Sequence, residues 1–295
     1  MDRKSVWSEI GEKTGSEYYE NFPLACKCTY GTGGKADCFF TPDCAEKAIS
    51  LVKELKDRGI PYVFLGAGSN VLISDDGYRG AVVSSEKLKG ISVKADLVTA
   101  GAGEKLENLV RQSLYNSLGG IEFLSGIPAS VGGAVAMNAG CFGKNAGDFV
   151  SYVVSTDGIK SRADCGFDYR TSVFKREKIG IIAVCFALEN VEFEQSESKV
   201  EYFRGLRRNK HPKGRSCGSV FKNDGYFAGK IIESCGLKGF RIGGAKISEK
   251  HANFIVADEN ATSADVFGLI NYAKKKAEEI CGVKLTEEVE YIGEF

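Results

Sequence analysis

The stretch 119–140 contains Gly126-Ile127-Pro128-Ala129-Ser130-Val131-Gly132-Gly133-Ala134 and ends Met137-Asn138-Ala139-Gly140. Glycine, alanine and serine dominate it, yet Ile, Leu, Val, Phe and Met are threaded through, so it is not a flexible linker. Removing Cβ atoms lets main-chain N–H groups come close to a flat or anionic ligand. The expected chemistry is a cradle for a dinucleotide cofactor. A second glycine loop, Gly66-Ala67-Gly68-Ser69-Asn70, follows the apolar run Pro61 to Leu65. It lacks the third glycine of a dinucleotide-binding G-x-G-x-x-G turn, because Val71 stands there. A generic turn and a phosphate contact are equally good readings of it.

Three polar residues stand in aromatic or glycine-rich settings, where burial is costly unless the group is partnered or used. Arg170 lies between Tyr169 and Ser172-Val173-Phe174, Ser219 between Gly218 and Val220-Phe221, and Glu288 in Leu285-Thr286-Glu287-Glu288-Val289. Each has a plain alternative: a packed arginine stem with its head in solvent, a turn serine, a surface strand glutamate. There is no Gly-x-Ser-x-Gly elbow, His-Glu-x-x-His or P-loop lysine motif. With two histidines, His211 and His251, serine–histidine hydrolysis and a three-histidine metal site have little support, and no metal is expected.

The elements that must position these residues read as an α/β chain. Thr41-Pro42-Asp43 is a helix-start signal, with Thr41 as N-cap and Pro42 at the first helical position. Ala45, Ala48, Ile49, Val52 and Leu55 follow at helical spacing, and Gly59 closes the helix. Strands are expected at 61–65, 81–83, 91–93, 97–100, 151–156, 179–188, 253–257 and 285–292. Helices are expected at 105–117, 200–210, 228–234 and 263–280. Composition shifts near Glu192, and a domain junction is placed between there and Gly214.

The 295 residues carry equal numbers of acidic and basic side chains, 39 of each, without a charged block, which disfavours sequence-independent nucleic-acid binding. The run Met1 to Trp7 is charged, unlike a signal peptide, and no apolar run reaches membrane-spanning length. Ten scattered cysteines are too dilute for a disulfide scaffold and read as buried thiols of a cytoplasmic protein.

Five motifs in order carry a more specific signal. They are Thr32-Gly33-Gly34-Lys35-Ala36-Asp37, Leu65-Gly66-Ala67-Gly68-Ser69-Asn70-Val71-Leu72, Gly126 to Ala134, Tyr169-Arg170 with Ser172 and Phe174, and Gly218-Ser219-Val220-Phe221-Lys222-Asn223. With Leu285, Glu288-Val289 and Ile292-Gly293 at the end, the series closely resembles the UDP-N-acetylenolpyruvoylglucosamine reductase family over about residues 25 to 295. That resemblance implies an α+β protein. Its two-domain FAD-binding module is of the vanillyl-alcohol-oxidase (PCMH) type, and a C-terminal α+β substrate domain follows. The implied division is 1–85, rejoined by 289–295, then 86–200, and 201–288 for substrate. The spacing from Lys210 to Ser219 and the run Ala228 to Glu233 resemble the family's shorter subtype.

The resemblance further implies non-covalent FAD, NADPH as hydride donor, and reduction of UDP-N-acetylglucosamine enolpyruvate by a monomer. Cofactor contacts fall to Gly66, Ala67, Gly68, Ser69, Asn70, Gly126, Ile127, Pro128, Ser130, Gly132, Gly133, Ala134 and Asn138. Substrate contacts fall to Tyr169, Lys210 and Asn223. Arg170 would face the carboxylate, Ser219 would give the proton, and Glu288 would be the second stabilising group, with a raised pKa if it is to sit beside an anion. The chain departs from the family pattern at Gly31, Lys35, Thr171, Asp224 and Glu290. Two other readings are a nucleotide-binding protein without catalysis and a related FAD oxidase. Intact Arg170, Ser219 and Glu288 oppose the first. The absence of histidine from the N-terminal two-thirds opposes a histidine-tethered flavin, leaving Cys141 as the one candidate tether near the loop.

Overall fold

The computed structural model describes residues 5–295; Met1–Lys4, part of the charged run read above, lie outside the described residues. The chain forms two compact units, and the second resumes at Arg207, inside the interval where the composition shifts.

The first unit contains residues up to Glu20, Cys38–Ala67 and Gly80–Leu206. Helix α1, Val6–Thr14, is capped by the Ser5 hydroxyl, which accepts the Ser8 N–H, and is closed by Gly15 in the left-handed region. Helix α2, Ala45–Asp57, buries Ala48, Leu51, Val52 and Leu55 on one face. Leu51 and Leu55 share a core with Ile10, Phe40, Ala81 and Val83. At about 1.5–3 kcal/mol per large side chain removed from water, that face holds the helix on its sheet. The sheet has four strands in the order Glu17–Pro23, Lys35–Thr41, Tyr78–Ser84, Tyr62–Leu65. Thr41 does not cap α2. It ends its strand, its hydroxyl donates to Glu17, and the helix begins four residues later behind Cys44. The buried run Cys38 to Thr41 keeps the backbone extended, and this outweighs the capping signal.

A five-stranded antiparallel sheet follows, ordered Gly158–Ser161, Val150–Ser155, Ile181–Ala187, Leu97–Gly101, Ile91–Lys94. Helices α3 (Leu106–Tyr115), α4 (Val131–Ala136) and α5 (Val173–Arg176) contribute to its core through Leu106, Leu109, Val131, Val135 and Phe174. Helix α6, Phe193–Lys210, starts seven residues earlier than Val200, where the sequence pattern began.

The second unit contains Asn21–Asp37, Gly68–Arg79 and Arg207–Phe295. It holds helices α7 (Ala228–Ser234) and α8 (Ser263–Cys281) and a three-stranded sheet, Arg241–Ile242, Ala245–Ile247, Ile255–Ala257. A parallel pair joins Val71–Ile73 to Glu290–Ile292. The strand expected over 285–292 is therefore divided: Glu287 bridges Phe221, and Glu290–Ile292 pairs elsewhere. Among the described residues no helix is long and apolar enough to cross a membrane.

Helix α8 buries Val266, Leu269, Ile270, Ala273 and Ala277, a stripe at helical spacing. Its start is doubly capped. Thr262 and Asp265 form a capping box, and both carboxylate oxygens of Asp75 accept N–H groups, from Ser263 at 2.9 Å and Ala264 at 3.0 Å. Asp75→Ala therefore lowers unfolding stability by about 1–2 kcal/mol, with Asp75→Asn between the two, in chemical denaturation followed by circular dichroism.

Candidate active site

In the first unit the glycine cradle and the candidate cation are built as one piece. Ser130 caps α4, its Oγ accepting from the Gly133 N–H at 3.3 Å. The first N–H groups of α4 are used internally, Val131 on the Glu104 carbonyl and Gly132 on that of Ala102. What these glycines offer a ligand is therefore close approach rather than free donors. A Cβ at Gly132 would meet the Ala102 side chain at 2.8 Å, so that glycine serves packing. At Gly133 a Cβ would meet only the Ser130 Oγ, at 3.1 Å. At Gly66 a Cβ would sit 2.5 Å from the same oxygen and 3.7 Å from Gly133. Gly66 and Gly133 are thus packed on either side of the Ser130 Oγ, an approach of two backbone segments that side chains would block. Gly126 and Pro128 are exposed, Ala67 is exposed, and Ile127 and Ala134 pack toward the core.

Arg170 follows directly from that piece. Its guanidinium donates to the Gly140 carbonyl at 2.8 Å and lies 5.2 Å from the Tyr169 ring. The Ser172 hydroxyl donates to the Ala136 carbonyl at 2.6 Å, and the Asn138 amide donates to the Asp168 carbonyl at 3.0 Å. Three bonds therefore tie the 168–172 loop to the end of α4. Asn138 is buried, and its Oδ1 accepts the Gly147 N–H, so its amide holds two loops together rather than facing a cofactor. Arg170 itself has φ +56°, which costs a non-glycine residue about 1 kcal/mol or more and is held by those ties.

In the second unit, the Gly68 carbonyl accepts the Thr29 N–H at 3.0 Å and hydroxyl at 3.3 Å. The Asn70 amide donates to the Glu288 carbonyl at 3.0 Å, and the Glu290 N–H donates to the Asn70 carbonyl at 3.0 Å. Ser69 is half-buried beside them. The Glu288 N–H donates to the Val220 carbonyl at 2.7 Å, and the Lys222 N–H to the Thr286 carbonyl at 2.9 Å. Backbone pairing thus brings Ser219 and Glu288, both half-buried, to adjacent chain segments, with Asn70 on the far side of Glu288. Arg170 belongs to the other unit.

Asn223 is exposed, with its Oδ1 accepting the Ala228 N–H at the start of α7. Lys210 is exposed at the end of α6. Next to it, His211 and His251 lie 6.3 Å apart and both pack on Phe254. Burial, with the His251 charge as a smaller cause, pushes the His211 imidazole down to about 4, and burial lowers His251 as well. The Cys28 and Cys217 thiols are hydrogen-bonded neighbours, and each lies within reach of the Val71 carbonyl, at 3.2 and 3.0 Å. That bond holds the Cys28 thiol below its ordinary range, while burial pushes Cys217 well above it. Among the described residues no group of three metal-ligating side chains forms. Sequence reasoning missed Thr29, Asp75 and Asn253. The first two are common turn residues, but an asparagine inside Ala252-Asn253-Phe254-Ile255 is a buried-polar signal that could have been read.

Residues 36–162 match the FAD binding domain family, and residues 210–292 match the C-terminal domain of UDP-N-acetylenolpyruvoylglucosamine reductase. Together with the relatives below, these matches define an FAD-dependent oxidoreductase. The chain is 38% identical over 283 residues to UDP-N-acetylenolpyruvoylglucosamine reductase of Caldanaerobacter subterraneus subsp. tengcongensis, covering 94% of each. It is 41% identical to that of Thermotoga maritima, covering 90% of this chain and 96% of the relative. The crystal structure of the Thermus caldophilus reductase superposes with a TM-score of 0.80 at 31% identity, over 94% of this chain and 99% of that one. The chain belongs to the UDP-N-acetylenolpyruvoylglucosamine reductase family.

Two outcomes follow from this geometry. A Cβ at Gly68 would lie 1.8 Å from the Lys27 carbonyl at φ +65°, so Gly68→Ala displaces the loop, and purified protein carries less than a tenth of the parent's FAD, read by absorbance after denaturation. His211 is neutral in the fold but takes a proton near 6.5 when unfolded. The His211 contribution to stability therefore falls as pH drops from about 6.5 to about 4, because the unfolded chain binds the extra proton. His211→Asn flattens the decline of the thermal midpoint across that window relative to the parent.

Proposed function

We propose that this chain reduces UDP-N-acetylglucosamine enolpyruvate to UDP-N-acetylmuramate at the expense of NADPH, as a cytoplasmic monomer. The observation that carries the reading is the backbone pairing of the Ser219 and Glu288 segments, in a chain whose family is defined by that activity. The proposed functional division keeps 1–85 and 86–200 as the cofactor module, rejoined by 289–295, and 201–288 as the substrate domain. The parallel pair of 71–73 with 290–292 supports that rejoining.

Bound FAD supplies the hydride for the substrate's terminal enol-ether carbon. Gly66, Ser130 and Gly133, which meet at the Ser130 Oγ, are assigned to the cofactor, as are Gly68 to Asn70. Arg170 is the cation for charge that develops on the substrate carboxylate. Its ties to Gly140, and those of its loop to Ala136, keep it from having to reorganise at the moment of reaction. The Ser219 hydroxyl gives the proton to the carbon next to the carboxylate. A hydroxyl is a weak acid, so position and neighbours must make it effective, and Glu288 lies on the segment that backbone bonds place beside it. Lys210 and Asn223 meet the diphosphate, and Tyr169 lines the substrate side.

Purified protein is expected to be yellow, to release FAD on denaturation, to bleach with NADPH, and to recover colour without oxygen when the enolpyruvyl substrate is added. A protein that binds no FAD, or one that bleaches and does not recover, overturns the assignment. Ser219→Ala should keep the bleaching rate within about twofold and slow recovery by at least about 100-fold. Equal loss of both half-reactions removes Ser219 from its role. Size-exclusion chromatography with light scattering tests the monomer.

A further inference from the structure

We infer that Asn253 is a positioning residue for Ser219, holding the peptide planes that carry its hydroxyl; the inference rests on Ser219 as proton donor. Asn253 is 1% exposed and uses its side chain as a strand would use a peptide unit. Its Oδ1 accepts the Phe221 N–H at 2.9 Å, and its Nδ2 donates to the Phe221 carbonyl at 2.8 Å. Its own carbonyl accepts the Val220 N–H at 2.8 Å. That last group lies in the peptide plane shared by Ser219 and Val220, so the plane on which the Ser219 Cα sits is pinned directly. The next carbonyl, that of Val220, accepts from Glu288. One asparagine therefore supplies three of the bonds that fix Val220 and Phe221, and Glu288 supplies a fourth.

The asparagine is itself held. The Ser248 hydroxyl accepts the N–H groups of Lys250 at 3.1 Å and His251 at 3.2 Å, and the Asn253 N–H donates to His251 Nδ1 at 3.3 Å. The Ser248 N–H donates to the Phe254 carbonyl at 2.8 Å, closing the turn. A hydroxyl with no acidity of its own depends on where it stands, and misplacement by about 1 Å costs about 100-fold in rate. Only an amide of this length offers a donor and an acceptor at the spacing of one residue. Aspartate lacks the donor, and glutamine is one methylene too long.

The test uses the FAD-loaded full chain. Asn253→Asp and Asn253→Gln should keep FAD content and the NADPH half-reaction within twofold, raise substrate KM less than threefold, and slow recovery of flavin colour by the enolpyruvyl substrate 10- to 100-fold. In a Ser219→Ala background the same changes should slow that step less than twofold further, a non-additivity that general loosening would not give. Hydrogen exchange on the unaltered holoenzyme gives a reading that needs no variant: the Phe221 amide should exchange at least 1000-fold more slowly than an unprotected loop amide. A freely exchanging Phe221, an unslowed recovery in both variants, or full additivity with Ser219→Ala overturns the inference. If Ser219→Ala itself leaves recovery unslowed, the proton-donor reading falls and takes this one with it; a crippled Ser219→Ala beside unslowed Asn253 variants removes this one alone.

Discussion

The hydrogen bond from the Glu288 N–H to the Val220 carbonyl is the constraint on which the chemistry proposed for the second unit depends. Ser219 and Glu288 are far apart in the chain and share no secondary element. Their relation is set by backbone register, which does not vary with side-chain rotamers and cannot slip by one residue without turning both side chains away. Asn70 extends the same ladder, because its amide holds the Glu288 carbonyl and its carbonyl takes the Glu290 N–H. The 66–70 loop and the segments that carry Glu288 and Ser219 are thereby joined by two backbone bonds and one from the Asn70 side chain.

The first unit achieves precision by another route. Arg170 sits on a loop, which alone would leave a long side chain free to wander at a cost in order of up to about 2 kcal/mol. Ser172, Asn138 and the guanidinium itself tie that loop to the last turn of α4 and the residues after it. The left-handed backbone at Arg170 is the strain that remains when those ties are all made. Function residues held in uncommon backbone regions are expected where surroundings over-determine them.

Much of this was legible in the residues. The helices at 228–234 and 263–281 fall where apolar spacing put them, because their stripes and caps are local. Thr41 misled because its capping signal is local while its strand is held by a buried neighbour set that no short window contains. The glycine-rich stretch was visible as composition, but what each glycine packs on was not: Gly132 packs on Ala102, whereas Gly66 and Gly133 meet at the Ser130 Oγ, and only the fold distinguishes them. Asn138 read as a cofactor contact because it ends the cradle, yet both ends of its amide are used on the protein. Asn253 carried its signal as an amide inside an apolar run, with nothing nearby to say which backbone it would serve.

The pairing of 71–73 with 290–292 has a consequence for how the molecule comes into being. Every turn of the second unit that is local, such as α7 or the hairpin at 241–247, can form as soon as its residues are available. The Asn70–Glu288 register cannot, since 218 positions separate its partners and the long Gly80–Leu206 part of the first unit is synthesised between them. Contacts of such high sequence separation form late and slowly, after the entropy of a very long loop has been spent. Until then the strand 71–73 waits without its partner at 290–292, so the 66–70 loop and the Glu288 segment become tied together in one late step.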